Sequence, residues 1–313
     1  MKDNNMILRI GTRKSTLALT QSEWVKGKIE ARYPDATVEL VKIKTKGDKI
    51  LGAPLSKIGG KGLFVKEIED ALLMKEVDLA VHSMKDVPSE LPDGLHLAVF
   101  PKREDPHDAL VGMDYKSLDD LPKGSSVGTS SLRRSAQLLH LRSDLNIVSL
   151  RGNVDTRLRK LESGDLQAIV LAMAGLRRLG LSDRITQVFS EEQILPAIGQ
   201  GSLGLELRMD DDAVREFLSF LNHEPTRVTV GAERAFLKEL EGGCQVPIAG
   251  HARLEGDRLI LIKGLVAELD GSRILKDEIT GHKDESEELG TTLARRLLAA
   301  GADKILKEIY GKT

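Results

Sequence analysis

The chain contains a single cysteine, Cys244, in the loop formed by residues 242–247, where a thiolate can act as a nucleophile. A helical pattern from about Gly231 to Leu240 precedes the loop, and paired glycines end it. The loop supports two interpretations equally: a reactive sulfur that projects from a hinge, or a small packed apolar side chain. Because one cysteine cannot form an intramolecular disulfide, the sequence favours a reducing compartment.

Basic residues cluster at three points where a predicted strand passes into a predicted helix: residues 10–15, 127–134 and 150–157. Each junction also carries glycine and hydroxyl or amide residues. Cations are unfavourable in a first helical turn because the helix dipole repels them, whereas an anionic ligand would reverse the sign. The glycine spacings match neither a phosphate-binding loop nor a dinucleotide motif, so the sequence favours a polycarboxylate ligand.

A fourth predicted strand ends in residues 82–88, where Lys85 and Asp86 are neighbours. A carboxylate at this position can perform acid–base chemistry or stabilise a developing cation. Taken alone, the segment is somewhat more typical of a surface Lys–Asp pair. His82 is interpreted as a hydrogen-bonded structural residue, and no cluster has metal-ligand spacing, so we expect no metal. The glycine-rich residues 59–65 fit either a lid or an ordinary helix entry.

The elements that position these residues alternate between strand and helix patterns, which predicts an α/β fold with parallel sheets over the first two-thirds of the chain. The predicted strands are Ile7–Ile10, Thr37–Ile43, Asp78–Val81, His96–Val99, Ser126–Val127, Ile147–Ser149 and Ala168–Leu171. The predicted helices are Ser15–Tyr33, Gly62–Met74, Ser131–Arg142, Val154–Glu162 and Ala213–Asn222.

The last third changes character and predicts an α+β domain. Residues 251–282 alternate in three strands joined by tight turns, and a helix of about residues 286–300 follows. Breaks are predicted at residues 100–107, which hold Pro101 and Pro106, and again near Pro196.

Composition excludes several classes of function. The net charge of −2 gives no global attraction to nucleic acid or to a membrane surface, and aromatic residues, at 3%, supply few stacking platforms. No apolar run is long enough to cross a bilayer, and the polar first residues do not form a secretion signal. We therefore expect a cytoplasmic protein with no nucleic-acid or membrane partner, and a monomer, since no large apolar stripe is evident.

Seven ordered segments together resemble the porphobilinogen deaminase (hydroxymethylbilane synthase) family of tetrapyrrole biosynthesis. The likeness runs from about Ile7 to the end of the chain and is strongest up to Ala252. The segments that carry it are residues 9–15 (RIGTRKS), 59–64 (GGKGLF), 82–88 (HSMKDVP), 128–134 (GTSSLRR), 151–157 (RGNVDTR), 194–201 (ILPAIGQG) and 242–244 (GGC).

The resemblance implies three domains. Two are α/β lobes like those of type II periplasmic binding proteins: residues 1–101 with 202–222, and residues 105–197. Residues 223–313 form a smaller C-terminal α+β domain, with a three-stranded antiparallel sheet, that carries Cys244. The chain then crosses between the lobes near residues 101–105 and 198–202, which agrees with the two breaks predicted from composition.

The resemblance also implies the chemistry. Four porphobilinogen molecules are joined head to tail, with loss of ammonia, into the linear tetrapyrrole hydroxymethylbilane. The cofactor is one dipyrromethane, held by a thioether to Cys244, so the sulfur is an anchor and not a turnover nucleophile. Each pyrrole ring carries an acetate and a propionate, which accounts for the basic junctions.

Individual roles follow from the resemblance alone. Asp86 and Lys85 are the implied catalytic residues, and Lys61 and Phe64 lie on an implied lid. The implied cofactor-binding residues are Cys244, Ser83, Lys85, Asp86, Thr129, Ser131, Arg133, Arg134, Arg157 and Gly175. The implied substrate-binding residues are Arg13, Ser15, Gln21, Arg151, Arg157 and Arg178.

Two rival functions explain part of the pattern. A non-catalytic two-lobed polyanion-binding protein accounts for the arginines but not for Asp86 or the cysteine loop. A cysteine-dependent acyl transferase, with His82 or His251 as its base, accounts for Cys244 but not for the arginines.

Overall fold

The computed structural model describes residues 7–49, 62–241, 246–256 and 258–311. Lys61 and Cys244, both predicted functional residues, lie outside these ranges. Within them, no helix combines the length and apolar character needed to cross a membrane.

The strands follow the chain in order and fall into three sheets. They are β1 (Ile7–Arg13), β2 (Thr37–Ile43), β3 (Leu79–Ser83), β4 (Leu95–Val99), β5 (Asp108–Gly112), β6 (Ser126–Gly128), β7 (Asn146–Val148), β8 (Ala168–Ala172), β9 (Gln187–Val188), β10 (Leu203–Arg208), β11 (Ile248–Glu255), β12 (Leu259–Ala267) and β13 (Ile274–His282).

The helices connect and cover these sheets. They are α1 (Thr16–Arg32), α2 (Lys46–Lys49), α3 (Lys66–Leu73), α4 (Leu132–Leu141), α5 (Val154–Glu162), α6 (Met173–Arg178), α7 (Asp212–Leu218), α8 (Glu224–Glu239), α9 (Ser286–Leu297) and α10 (Asp303–Tyr310).

The first compact unit comprises the described parts of residues 1–52 and 60–103 together with residues 202–227. Its sheet has the order β2-β1-β3-β10-β4. Strand β1 is parallel to β2 and β3, whereas β10 is antiparallel to β3 and β4. Apolar residues of β1, β3 and β10, including Ile10, Leu79 and Leu205, form its core with α1. The carboxyl ends of β1 and β3 therefore meet at one edge.

The second compact unit contains two sheets, from residues 104–201 and from the described parts of residues 228–313. The first sheet has the order β7-β6-β8-β5-β9, with β6 parallel to β7 and β8 and β5 antiparallel to β8 and β9. The second is the antiparallel sheet β11-β12-β13. Helices α8 and α9 cover the antiparallel sheet, with the ring of Phe236 fully buried in its core.

The carboxylate of Glu233 joins two parts of this second unit. Its Oε2 atom accepts a hydrogen bond from the backbone N–H of Gly199 at 2.6 Å, and its Oε1 atom accepts one from Ala252 at 2.9 Å. Glu233 is fully buried, so both bonds form in an interior where they are strong.

The predicted fold class is confirmed: two five-stranded α/β sheets and a three-stranded antiparallel sheet. Both five-stranded sheets contain the expected parallel pairs but are mixed, because β5 and β10 each enter a sheet antiparallel to both neighbours. The bounds of β2 and α5 match the prediction, and residues 100–107 and 195–197 lack regular structure, as expected. Helix α3 begins at Lys66 and not at Gly62, because Gly62 has φ +83°, which a right-handed helix cannot contain.

Candidate active site

A pocket in the first unit collects polar side chains from the ends of β1 and β3 and from the start of α1. It has a cavity volume of about 50 Å³, which is smaller than that of a typical ligand pocket. Its lining includes Arg13, Ser15, Gln21, Phe64, Ser83 and Asp86, all six of which the sequence analysis names.

The hydroxyl of Ser15 caps helix α1. Its Oγ atom accepts a hydrogen bond from the backbone N–H of Ala18 at 3.3 Å, as the hydroxyl residue at this junction predicts. The first turn of α1 holds no acidic residue, so the positive end of the helix dipole stays uncompensated by side chains there. This end of α1 can therefore attract an anionic group.

Helix α1 also contacts β3 through Gln21. The Nε2 atom of Gln21 donates a hydrogen bond to the Oγ atom of Ser83 at 2.9 Å, and the Gln21 side chain is buried. This bond orients the Ser83 hydroxyl at the pocket wall.

The guanidinium of Arg13 lies over the ring of Phe64, with 4.2 Å between its central carbon and the ring centroid. Both side chains line the pocket. The cation–π contact holds the arginine and the aromatic ring together. Phe64, which belongs to the segment predicted to be a lid, thus contacts a predicted substrate-binding residue.

Asp86 is the last residue of a short 3₁₀ turn, Met84–Asp86, which follows β3 directly. The turn is closed by a hydrogen bond of 3.2 Å from the backbone N–H of Val87 to the carbonyl oxygen of Met84. The Asp86 carboxylate is half-buried and lines the pocket, and within the described ranges it forms no hydrogen bond or ion pair. Lys85 is half-buried in the same turn. A carboxylate in this state is available to a cation or to an N–H donor of a ligand.

In the second unit, Arg133 and Arg134 converge on one buried carboxylate, that of Asp108. The Nη1 atom of Arg133 donates to Asp108 Oδ2 at 2.7 Å, while Nε and Nη2 of Arg134 donate to Oδ1 at 2.9 and 2.7 Å. Asp108 is fully buried, and the charges of the two guanidinium groups hold its pKa below its ordinary value against the opposing effect of burial. Burial in turn lowers the pKa of Arg133.

Further hydrogen bonds extend this cluster. Gln200 donates through Nε2 to Asp108 Oδ1 at 3.0 Å, and Arg134 donates through Nη1 to the carbonyl oxygen of Val170 at 3.0 Å. The Nε atom of Arg133 is buried without a hydrogen-bond partner in the part of the chain that the structure describes. Both arginines are predicted from the sequence, whereas Asp108 is not, because its only signal is an acid at the start of the apolar run 109–111.

The remaining predicted residues of this unit lie at the carboxyl ends of β6, β7 and β8. Ser131 caps α4, its Oγ accepting the N–H of Arg134 at 3.4 Å, and its own N–H donates to Thr129 Oγ1 at 3.2 Å. Arg157 donates from Nε to the carbonyl oxygen of Gly152 at 2.8 Å. Gly152 has φ +108°, a conformation that favours glycine at this turn. Arg151 is half-buried beside it.

Arg178 lies at the end of α6, where Gly175 is buried. Its Nη2 atom donates to the carbonyl oxygen of Gly201 at 2.7 Å, and burial lowers its pKa.

Both histidines considered as possible bases are hydrogen bonded to buried carboxylates. His82 Nε2 lies 2.8 Å from Glu206 Oε2, as expected for a structural histidine. His251 Nδ1 lies 2.6 Å from Glu191 Oε1. No group of three or more potential metal ligands occurs among residues 7–49, 62–241, 246–256 and 258–311.

Comparison with known proteins gives consistent results over almost the whole chain. Residues 8–216 match the family model "Porphobilinogen deaminase, dipyromethane cofactor binding domain", and residues 227–299 match "Porphobilinogen deaminase, C-terminal domain". The chain is 57% identical over 303 residues to the porphobilinogen deaminase of Trichlorobacter lovleyi, with 97% of this chain and 96% of the relative covered. It is 58% identical over 299 residues to that of Syntrophotalea carbinolica, with 96% and 95% covered.

Among solved structures, the methionine-binding protein MetQ aligns with a TM-score of 0.45 at 18% identity. The alignment covers 70% of this chain and 90% of that chain.

Proposed function

The chain belongs to the porphobilinogen deaminase family, and from this premise we propose which of its residues carry the family's reaction. The enzyme joins four porphobilinogen molecules head to tail, releasing ammonia, to give the linear tetrapyrrole hydroxymethylbilane. It is a transferase of porphyrin and heme biosynthesis, and its cofactor is a dipyrromethane. These findings do not support the non-catalytic polyanion-binding alternative.

Asp86 is the proposed catalytic residue. The observation that carries this proposal is its half-buried carboxylate, which lines the pocket yet has no partner within the described ranges. Each condensation places positive charge on a pyrrole nitrogen, and a fixed carboxylate in a poorly hydrated pocket stabilises such a charge by about 3 kcal/mol. Asp86 also accepts the proton released when the new bond forms. Lys85, its neighbour in the turn, is proposed as the second catalytic residue.

The basic and hydroxyl residues are proposed to bind the acetate and propionate groups of the rings. Guanidinium forks and helix N-termini bind carboxylates through charge-assisted hydrogen bonds. For the substrate these residues are Arg13, Ser15, Gln21, Arg151, Arg157 and Arg178. For the cofactor they are Ser83, Lys85, Asp86, Thr129, Ser131, Arg133, Arg134, Arg157 and Gly175.

The dipyrromethane fits the groups that are present. The Nε of Arg133, which is buried and has no hydrogen-bond partner among the described residues, is suited to a carboxylate, and Asp86 is suited to pyrrole N–H groups. When bound, the cofactor supplies the terminal pyrrole carbon to which the first substrate is joined. Cys244 is proposed to anchor it by a thioether, since it is the only thiol of the chain.

Phe64 and Lys61 are proposed to cover the bound substrate as a lid. The contact between Phe64 and Arg13 supports this role, because movement of the aromatic ring would release the guanidinium for a carboxylate.

The organisation and setting of the protein are also proposed. The domains are residues 1–101 with 202–222, residues 105–197, and residues 223–313. The protein is a cytoplasmic monomer without a nucleic-acid, membrane or metal partner. The balanced charge and the single cysteine support this setting.

The experiment that tests the proposed site compares turnover of Asp86→Asn with that of the unmodified protein, after mass spectrometry has verified that both carry the cofactor. Normal turnover of the loaded variant would remove Asp86 from the reaction.

A further inference from the structure

A buried hydrogen-bonded pair lies directly behind the turn that carries Asp86. The Nε2 atom of His82 and the Oε2 atom of Glu206 are 2.8 Å apart, and the two residues are 5% and 0% exposed. Neither residue has a role in the proposed chemistry. A buried polar pair of this kind contributes little net stability, because the cost of removing its groups from water offsets their attraction. Apolar residues would fill the same space at least as well, so the pair calls for another explanation.

The sheet register explains how Glu206 reaches His82. Strand β10 runs antiparallel to β3, with Gly204 opposite His82 and Glu206 opposite Ala80. Glu206 and His82 are therefore diagonal neighbours on one face of the sheet, within reach of long side chains. Glu206 thus contacts the residue that immediately precedes Ser83, at the end of the strand that leads into the turn.

Strand β10 supports the turn at two further points. The backbone N–H of Met84 donates to the carbonyl oxygen of Ser202 at 3.0 Å, which extends the strand pairing into the turn. At Gly204 a Cβ atom would lie 2.3 Å from the Sδ atom of Met84, so this position leaves room for the Met84 side chain. The turn that presents Asp86 is thus built against β10, and the His82–Glu206 bond ties the strand that leads into the turn to β10 as well.

Other titratable groups surround Glu206. Glu69 faces it from α3, and its pKa is raised to about 7 by burial and by the charge of Glu206. His96 lies on β4, where burial lowers its pKa. The Oε1 atom of Glu206 is buried and lacks a hydrogen-bond partner within the described ranges. The bond through Oε2 to His82 is consequently the one that fixes the Glu206 carboxylate.

We propose that Glu206 is a positioning residue for the condensation reaction: through the imidazole of His82 it holds the Ser83–Asp86 turn at the pocket wall. The inference rests on the role proposed above for Asp86. Small displacements matter here, because a misplacement of about 1 Å can lower a rate by about 100-fold.

The test compares Glu206→Asp with Glu206→Gln as cofactor-loaded proteins, each verified by intact mass. Aspartate keeps the charge but is one methylene too short to reach His82, whereas glutamine keeps the length and an oxygen acceptor. We expect Glu206→Asp to lower kcat by about 10- to 100-fold with a much smaller change in KM, and Glu206→Gln to stay close to the unmodified protein. Glu69→Gln is the matched control, since it removes a neighbouring carboxylate without touching the His82 bond, and it retains normal kcat.

Thermal unfolding of the same variants separates positioning from stability. A purely structural role predicts that both Glu206 variants lower Tm while kcat per loaded molecule stays unchanged, and that result overturns the proposal. Asp86→Asn, assayed in parallel, distinguishes the two levels of inference. If it loses turnover while Glu206→Asp does not, only the positioning role fails. If Asp86→Asn itself retains turnover, the catalytic role of Asp86 is refuted, and the positioning role of Glu206 is refuted with it.

Discussion

Asp108 and Arg134 form a two-point ion pair in the interior of the second unit, with Nε and Nη2 of the arginine both donating to Oδ1 of the aspartate. Arg133 bonds the other oxygen of the same carboxylate. Two guanidinium groups predicted from the sequence to bind a ligand are therefore oriented by a carboxylate that no sequence motif marks.

Replacement of Asp108 by alanine leaves two buried guanidinium groups without their shared partner. We expect the free energy of unfolding to fall by about 3–5 kcal/mol, the range for breaking a buried ion pair. Urea denaturation monitored by circular dichroism measures the change. Glu255→Gln is the control, because its partner Arg253 is exposed and such pairs contribute under about 1 kcal/mol. Equal losses in the free energy of unfolding for the two variants would show that the Asp108 cluster stabilises the fold no more than an exposed ion pair does.

Replacement of Asp86 by asparagine removes the charge but preserves the shape of the side chain. We expect the cofactor to remain attached and kcat to fall by about 100-fold or more, because the charge that stabilises the cationic ring is lost. Stopped-time assays of tetrapyrrole product, normalised to the loaded fraction, measure the effect. Asp93→Asn, at an exposed aspartate outside the pocket, retains turnover. A similar rate for the two variants contradicts the account.

We predict that Glu191 contributes to the free energy of unfolding and that this contribution is lost in acid. Its pKa is lowered to about 2 by the hydrogen bond from His251 and by Lys263. A depressed carboxyl pKa stabilises the folded state above the ordinary value near 4.5, and this contribution is lost as the pH falls towards 2. Glu191→Gln should therefore lower the free energy of unfolding at pH 7 by about 1–3 kcal/mol, with the difference disappearing near pH 2.

Urea titrations of this variant across pH 2–7 measure the difference. Glu192→Gln serves as its control, since Glu192 also contacts Lys263 but is largely exposed. A deficit for Glu191→Gln that stays constant over this interval would exclude the proposed linkage.

For Glu69 we predict the opposite dependence of the free energy of unfolding on pH. Its pKa is raised to about 7, so the folded state favours the protonated form and stability declines as the pH rises from about 4.5 to about 7. Glu69→Gln removes this penalty. The variant should be more stable than the unmodified protein at pH 8 by up to about 3 kcal/mol, with no advantage below pH 4, where both side chains are neutral. A Glu69→Gln variant that is less stable than the unmodified protein at pH 8 would contradict the raised pKa of Glu69.

Local sequence signals predicted the helix caps and many of the strands. The hydroxyls of Ser15 and Ser131 cap α1 and α4 because capping depends on residues only three positions apart. Strand β10 was not predicted, although all six of its residues are buried, and it pairs with β3 and β4, which lie more than a hundred residues earlier. No local pattern encodes such pairing.

The same limit applies to the site. The basic junctions and the Lys85–Asp86 pair are visible as motifs, whereas Asp108 and Glu206 look like ordinary acids until the fold brings them to Arg133, Arg134 and His82. Their significance depends on burial and on contacts between distant segments, such as the 124 positions that separate Glu206 from His82.

The measurement that tests the central claim most directly is the intact mass of the denatured protein before and after incubation with porphobilinogen. We predict an excess over the polypeptide mass equal to two deaminated porphobilinogen units, already present or gained on incubation, and absent from Cys244→Ser. Turnover should accompany that excess. A chain that stays at its bare polypeptide mass after incubation, or an excess that persists in Cys244→Ser, would contradict a dipyrromethane anchored at Cys244.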